Sequence, residues 1–323
     1  MNKKKVTLDD IAQELNLSIN TVSRALRDCY DISEGTKEIV RMKALELNYS
    51  FRKPVSDYNY DQRKLVIIVF NSFLNPYYSI MAEKLIKRLK DKYLLSVFPS
   101  SSYELEYSLI KHAYEYKTAA IISFLEPNEK TKNFIHNNGI PLIILGRECQ
   151  EKSLDDIFTD DFNGGEIVAK HFFDLGIDKI AYIGPDNVEC SIRRYEGLKS
   201  KWKELTNKNV PFINCFSELK SVLNELVSSA YISGIRGLFC FNDVTAYKVY
   251  KAKQTDNKYH DLSIVGFDNL HSQREYLPDI SSIGYDYNEL ADLVSVTLDA
   301  RLRKQGNIKT MKVKLPVFLY KKD

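Results

Sequence analysis

No segment of the 323-residue chain approaches 18 consecutive apolar residues, so no membrane-spanning helix is expected. Cysteine is sparse and unpatterned. Cys29, Cys149, Cys190, Cys215 and Cys240 stand singly, with no CxxC pair, which argues against a zinc site or a disulfide framework and for reduced thiols. The five histidines (His112, His136, His171, His260, His271) are equally scattered. No Ser/His/Asp constellation, HExxH pair, GxGxxG turn or Walker loop is present, so nucleophilic, metal and nucleotide chemistry lack their usual residues. Asp155-Asp156 and Asp160-Asp161 are adjacent acids, and neighbours in a strand point to opposite faces, a poor arrangement for chelation. No catalytic residue, metal or cofactor is expected. Lys3-Lys4-Lys5 has no apolar stretch behind it, so no secretory signal is read and a cytoplasmic location is expected. Net charge is only +3, and residues 1–53 hold 10 Lys/Arg against 8 Asp/Glu. Affinity for a polyanion would have to come from the placement of a few groups, and would still fall with salt.

What the chain does have begins at residue 6. Ile11, Ala12 and Leu15 form one apolar face at helical spacing, and Leu17, Val22, Ala25 and Leu26 form another. Asn16 lies between them, where a tight turn calls for positive φ. Ser18 suits an N-cap. The second helix then presents Ile19, Asn20, Thr21, Ser23 and Arg24 outward. Asn can pair in two-pronged fashion with adenine and Arg with guanine, while Ser and Thr reach phosphates. Ser33 caps a third helix, roughly Glu34 to Leu47, with Ile39, Val40, Ala44, Leu45 and Leu47 expected inward. Three helices in about 50 residues make a compact helix-turn-helix unit.

Thr7-Leu8-Asp9-Asp10-Ile11-Ala12, Ser18-x-x-Thr21-Val22-Ser23-Arg24, Ile32-Ser33-x-x-Thr36 and Leu47-Asn48-Tyr49 together resemble the headpiece of the lactose-repressor (LacI/GalR) family, without a gap. The resemblance implies DNA contacts from Asn20, Thr21 and Arg24, an apolar base contact from Ile19 and phosphate contacts from Ser18 and Ser23. Thr7, which opens the motif, is a DNA-contact candidate with them. Residues 51–63 read as a polar linker. In the resembled family this stretch forms a hinge helix on DNA, with an apolar wedge in the minor groove. Spacing from Tyr49 puts Tyr58 at the wedge position, but Pro54 falls where that helix would run. A wedge and a flexible tether both stand as readings.

From Lys64 the pattern changes. Leu65-Val66-Ile67-Ile68-Val69-Phe70 is a continuous apolar run, as in a strand buried on both faces. Further strands are expected at 94–98, 119–124, 142–145, 157–158, 179–183, 237–241, 263–267 and 282–285, with a final strand at 313–320. Helical patterns separate most of them, at 78–92, 105–116, 165–175, 194–205, 218–229, 245–253 and 290–304. This is repeated β-α order, so the fold class is α/β, with parallel sheets flanked by helices. The full expectation is a headpiece at 1–50, a hinge at 51–63 and a two-lobed, periplasmic-binding-protein-like core at 64–323. Open parallel sheets bind ligands at the carboxyl ends of their strands. Asn71, Asn75, Arg147, Asp160, Asp161, Asn242, Asp243 and Asp268 fall there. Each alone suits a turn or helix cap; their joint placement suggests a shared cleft.

The resemblance extends through the core. Asn75-Pro76-Tyr77-Tyr78, Asp160-Asp161-Phe162-Asn163-Gly164-Gly165, Arg194-x-x-Gly197, Asn242-Asp243 and Gly266-Phe267-Asp268 are similar to family segments that line the ligand cleft. By that likeness the ligand candidates are Tyr77, Tyr78, Arg147, Asp161, Arg194, Asn242, Asp268, Tyr285 and Tyr287. A carboxylate at Asp268 accepts two hydrogen bonds at once, which suits sugar hydroxyls, and aromatic faces stack on sugars. A purine is the alternative ligand. The implied protein is a repressor, a homodimer on a pseudo-palindromic operator, controlled by a small effector. No heptad pattern follows the final strand, so a dimer is expected over a tetramer. The competing expectations are a solute-binding protein of the same fold without a regulatory role, and a headpiece over a core that has lost its ligand.

Overall fold

The computed structural model describes residues 6–47, 49, 63–100, 102, 104–149, 153–215, 220–303 and 309–322. Its internal contacts divide the chain into Met1–Arg63 and Lys64–Asp323.

The first unit holds α1 (Leu8–Leu15), α2 (Ile19–Leu26) and α3 (Glu34–Glu46). Each begins on a hydroxyl cap: Thr7, Ser18 and Ser33 accept from the backbone amides of Asp10, Thr21 and Thr36. Such caps satisfy amides with no intrahelical partner and contribute about 1 kcal/mol each. Asn16 ends α1 at φ +52°, as its place in the turn requires. Ile11, Ala12, Val22, Ala25, Leu26, Val40 and Ala44 form the core. Two expected core residues of α3 lie outside it: Ile39 is 57% and Leu45 78% exposed. At 100° per residue the inward face runs through positions 37, 40, 44 and 47, and residues 39 and 45 fall off it. Lys37 takes the unexpected inward place and pairs with Glu34 at 2.6 Å and Asp28 at 3.2 Å.

The second unit is two-lobed. Its first run comprises β1 (Lys64–Phe70), α4 (Pro76–Leu89), β2 (Tyr93–Pro99), β3 (Glu104–Leu105), α5 (Tyr107–Glu115), β4 (Ala120–Ser123), β5 (Glu126–Pro127), α6 (Glu129–Asn137), β6 (Leu142–Leu145) and β7 (Asp155–Thr159). The second comprises α7 (Asp161–Asp174), β8 (Ile180–Gly184), α8 (Glu189–Thr206), β9 (Phe212–Asn214), α9 (Lys220–Ile232), β10 (Gly237–Cys240), α10 (Asp243–Thr255), β11 (Ser263–Phe267) and β12 (Ser281–Gly284). Then come α11 (Tyr287–Leu302), β13 (Lys312–Leu315) and β14 (Phe318–Tyr320). The sheets run β13-β7-β6-β4-β1-β2 and β14-β12-β11-β10-β8-β9.

The apolar run of β1 is buried on both faces. Val66, Ile68 and Phe70 join one core cluster, while Ile67 and Val69 join another. Each such side chain contributes about 1.5–3 kcal/mol of burial. The adjacent acids of β7 do face opposite ways. Asp155 pairs with Arg301 of α11 at 2.5 Å, and Asp156 pairs with Lys312 of β13 at 2.6 Å. Small residues bring α7 and α8 together: a Cβ on Gly197 would lie 1.9 Å from the Phe162 carbonyl oxygen, and one on Gly165 would lie 2.1 Å from that of Arg194. The expected single strand 313–320 is two strands in different sheets. Pro316 has no N–H for a ladder, so pairing breaks there. β13 joins β7 in parallel, and β14 joins β12 antiparallel. Helix α6 and strand β9 lie outside the sequence expectation, and α7 and α8 begin at Asp161 and Glu189, about a turn earlier than expected. The chain crosses between lobes at Asp160, at Tyr285-Asp286 and at Pro316-Val317.

Candidate DNA interface and ligand cleft

Helix α2 buries Val22, Ala25 and Leu26 and turns its other side outward. Ile19 is 48% exposed, and Asn20 is exposed, its side chain without a hydrogen bond among the described residues. The Thr21 hydroxyl lies 2.8 Å from that of Ser18, the capping residue. Ser23 accepts from Arg27 Nη2 at 2.8 Å and is half-buried. Thr7 is occupied in a capping box: its hydroxyl donates to Asp10 Oδ2 at 2.7 Å, and its backbone N–H donates to the same oxygen at 2.6 Å. Arg24 reaches Asp31, with Nε and Nη2 at 3.0 and 2.6 Å from Oδ2. Asp31 holds the guanidinium above its ordinary value, and Arg24 holds Asp31 below the usual carboxylate range. Sequence reasoning missed Asp31, whose partner lies seven residues back across a turn. Tyr58, Pro54 and the rest of residues 50–62 lie outside the described residues.

In the core, seven of the nine ligand candidates line one cleft of about 640 Å³, counting space open to solvent: Tyr77, Tyr78, Arg147, Arg194, Asn242, Asp268 and Tyr285. Tyr77 and Tyr78 occupy the first turn of α4, which Asn75 caps by accepting from Tyr77 N at 3.0 Å. Tyr78 stacks on Phe70 at 5.4 Å and meets Phe124 edge-on. From the far wall the Tyr285 hydroxyl donates to that of Tyr77 at 3.1 Å. Asn242 caps α10 with Oδ1, accepting from Thr245 N at 2.9 Å, and its Nδ2 has no acceptor among the described residues. Arg147, 31% exposed, lies 4.0 Å from Glu126.

Two candidates stand behind this wall. Tyr287 is 2% exposed, stacks on Tyr285 at 4.8 Å and donates to the Asp268 carbonyl at 2.8 Å. Asp161, 7% exposed, accepts from Arg194 Nε at 2.8 Å and from the Thr159 hydroxyl at 3.2 Å. It also borders a smaller charged recess of about 470 Å³ that shares Arg147, Thr159 and Cys190 with the cleft. Burial pushes the Asp161 carboxyl up while Arg194 pulls it back. Burial works against the Arg194 charge too, but Asp161 holds it above its ordinary value. Arg194 also donates to the Phe241 carbonyl at 2.5 Å and lies 3.4 Å over the Phe267 ring. Two of its five N–H donors are thus committed within the protein, one to Asp161 and one to the Phe241 carbonyl.

Asp268 differs. It is 7% exposed and its carboxylate has no hydrogen bond or ion pair among the described residues. Burial pushes it well above the usual carboxylate range, with Arg194 only partly opposing. A buried acid of this kind is costly unless a partner arrives. Aromatic walls with one unpartnered acceptor and the spare amide donor of Asn242 suit a small ligand rich in hydroxyl or N–H donors. Phe124, Phe241, Thr159 and Cys190 also line the cleft and were missed in the sequence. Phe124 and Phe241 directly follow β4 and β10, so the strand-end rule that found the polar candidates reaches them too. Among the described residues no group of three or more His, Cys, Asp or Glu side chains is placed to hold a metal ion, and no helix is long and apolar enough to cross a membrane.

The family description "bacterial regulatory proteins, lacI family" matches residues 7–50, and the periplasmic binding protein-like domain matches residues 169–322. The chain is 24% identical over 303 residues to the HTH-type transcriptional regulator DegA of Bacillus subtilis (strain 168), covering 88% of each. It is 24% identical over 322 residues to the sucrose operon repressor of Lactococcus lactis subsp. lactis, covering 98% of each. Among solved structures, a lac repressor dimer bound to operator and the anti-inducer ONPF superposes with a TM-score of 0.70 at 20% identity, over 99% of this chain and 98% of that one. A LacI family regulator from Enterococcus faecium with bound ribose also superposes with a TM-score of 0.70, at 22% identity, over 80% of this chain and 97% of that one. The chain thus carries a helix-turn-helix headpiece of the lacI family of bacterial regulatory proteins ahead of a periplasmic-binding-protein-like domain.

Proposed function

We propose that this protein is a sequence-specific transcriptional repressor whose grip on its operator is set by a small ligand in the core cleft. Residues 1–50 act as the DNA-binding headpiece, 51–63 as the hinge and 64–323 as the ligand-binding and dimerising core. The observation that carries the DNA half is the two-sidedness of α2, with Val22, Ala25 and Leu26 buried and Ile19, Asn20, Thr21 and Arg24 turned out. Asn20 and Arg24 read base edges, Ile19 makes an apolar base contact, and Ser18, Thr21 and Ser23 reach phosphates. Thr7 adds a backbone contact at the N-terminus of α1, and Tyr58 takes the minor-groove position of the hinge. Two copies bind one pseudo-palindromic site, since a two-fold dimer presents two headpieces related by the same symmetry. The protein works in the cytoplasm and carries out no catalysis.

The effector is a sugar. Asp268 accepts its hydroxyls, Asn242 and Arg147 donate to it, and Tyr77, Tyr78 and Tyr285 form the aromatic walls. Arg194 and Asp161 hold the floor, with Tyr287 packed behind Tyr285. Structural neighbours that contain ribose or D-xylulofuranose support this reading over a purine. The ligand shifts the DNA equilibrium to the extent that it binds the two lobe arrangements unequally.

Selection of genomic DNA fragments by the purified chain, repeated without residues 1–50, tests the reading. A palindrome recovered by the full chain and lost on deletion is expected. Equal enrichment by both, or a sugar-binding chain that recovers no DNA with or without its sugar, would overturn it in favour of a solute-binding protein.

A further inference from the structure

Asp268 and Asn269 hold φ values of +109° and +51°, the only consecutive non-glycine residues with positive φ among the described residues. Residues with a Cβ rarely adopt this backbone, so the surroundings must impose it. The imposing groups lie behind the turn, away from the cleft. Asp243, the first residue of α10, is 1% exposed. Its Oδ2 accepts from Leu270 N at 2.7 Å and its Oδ1 accepts from the Ser282 hydroxyl at 2.6 Å. The Ser282 oxygen in turn accepts from Asn269 N at 3.0 Å. Asp268 N donates to the Ile283 carbonyl at 2.7 Å. Room for the Asp243 carboxylate exists because residue 266 is glycine: a Cβ there would lie 2.1 Å from Asp243 Oδ1. Neither Asp243 nor Ser282 lines the cleft.

We propose that Asp243 and Ser282 are positioning residues that clamp the 268–270 turn in its left-handed form and so aim the Asp268 carboxylate at the ligand. The proposal rests on reading Asp268 as the ligand's acceptor. The clamp itself is a property of the unliganded chain, so the two can fail separately. A packing role alone would act differently: losing either residue would loosen β10, β11 and β12 together.

Backbone hydrogen exchange of the full-length protein, read by mass spectrometry, distinguishes these outcomes. In Ser282→Ala and in Asp243→Asn, the Asn269 and Leu270 amides should exchange about tenfold faster or more, the order expected for losing one buried hydrogen bond. Amides of β8, β10 and β11 should keep their protection, and Ser282→Thr, which retains the hydroxyl, should restore the turn. With D-ribose as the probe in a thermal-shift titration, Ser282→Ala should weaken the response of the wild type and add no further loss to Asp268→Ala, because nothing remains to be aimed. If the wild type shows no shift with ribose, ribose fails as effector, and the exchange data alone decide the clamp. If Asp243→Asn does not fold, Ser282→Ala carries the test. Protection of the turn unchanged in Ser282→Ala, loosening spread evenly over the sheet, or ribose penalties that add in the double variant would overturn the proposal.

Discussion

Replacing Asp161 by alanine leaves the Arg194 guanidinium buried with its charge uncompensated. The two side chains are 6% and 8% exposed and 2.8 Å apart, so solvent screens the pair very little. Breaking a buried pair from one side costs about 3–5 kcal/mol, most of it the stranded charge. Arg194 keeps the Phe241 carbonyl and the face of Phe267, so a loss near the lower end, about 3 kcal/mol, is expected. For a core of this size each kcal/mol moves the midpoint by about 2–4 °C, which puts the fall at roughly 6–12 °C. Trp202, the single tryptophan, is 1% exposed in the α8 core, and its fluorescence reports the transition. The double variant Asp161→Leu with Arg194→Met replaces the pair by apolar side chains and should recover most of the stability, though not ligand binding. A loss below about 1 kcal/mol for Asp161→Ala, or a double variant no more stable than the single, would refute the argument.

Four other outcomes follow from the same geometry. Arg24→Ala should weaken binding to the selected operator by about tenfold or more and relax the preference at one base pair, read by competition between single-base operator variants; equal weakening on every sequence would make Arg24 a phosphate contact. Ser18→Ala should cost about 1 kcal/mol of headpiece stability by removing the cap of α2, read as an earlier helical melt; an unchanged melt would show that the cap is dispensable. Asp268→Asn should abolish the response to sugar while leaving operator affinity without ligand intact, and a coupled loss of both would contradict the division of labour between the units. Asp243 titrates in the core, with burial pushing its carboxyl up to about 7 against the Ser282 and Leu270 hydrogen bonds. Its native value lies above its unfolded one, so its stabilising contribution is full below about pH 4 and lost as pH rises to about 7. The melting midpoint should therefore fall less steeply between pH 4 and 7 in Asp243→Asn than in the wild type, and parallel profiles would refute the assignment.

The architecture was legible because its signals are local. Hydroxyl caps, the Asn16 turn and the alternation of apolar runs with amphipathic stretches each depend on a few neighbouring residues. Where the sequence misled, long-range geometry decided. Ile39 and Leu45 are apolar but fall off the face that α3 turns to its partners, while Lys37 falls on that face and reaches its ammonium out to two exposed acids. Nothing within residues 313–320 except Pro316 shows that the chain leaves one sheet for the other. In the cleft, the strand-end rule found the polar residues because caps and cleft residues occupy the same positions. It could not show that Asp161 is spent on Arg194 while Asp268 is left unpartnered, since those pairings join residues 33 positions apart or leave none at all. The Asp243–Ser282 contact spans 39 residues and has no local signature.

The most direct test of the central claim is the affinity of the full chain for its selected palindrome, titrated with and without a sugar that raises the chain's melting temperature. The account predicts a change of about 5- to 150-fold in operator affinity, the usual range of coupling between sites, and none in Asp268→Asn. A sugar that binds the cleft tightly and leaves operator affinity unchanged in the wild type would contradict it.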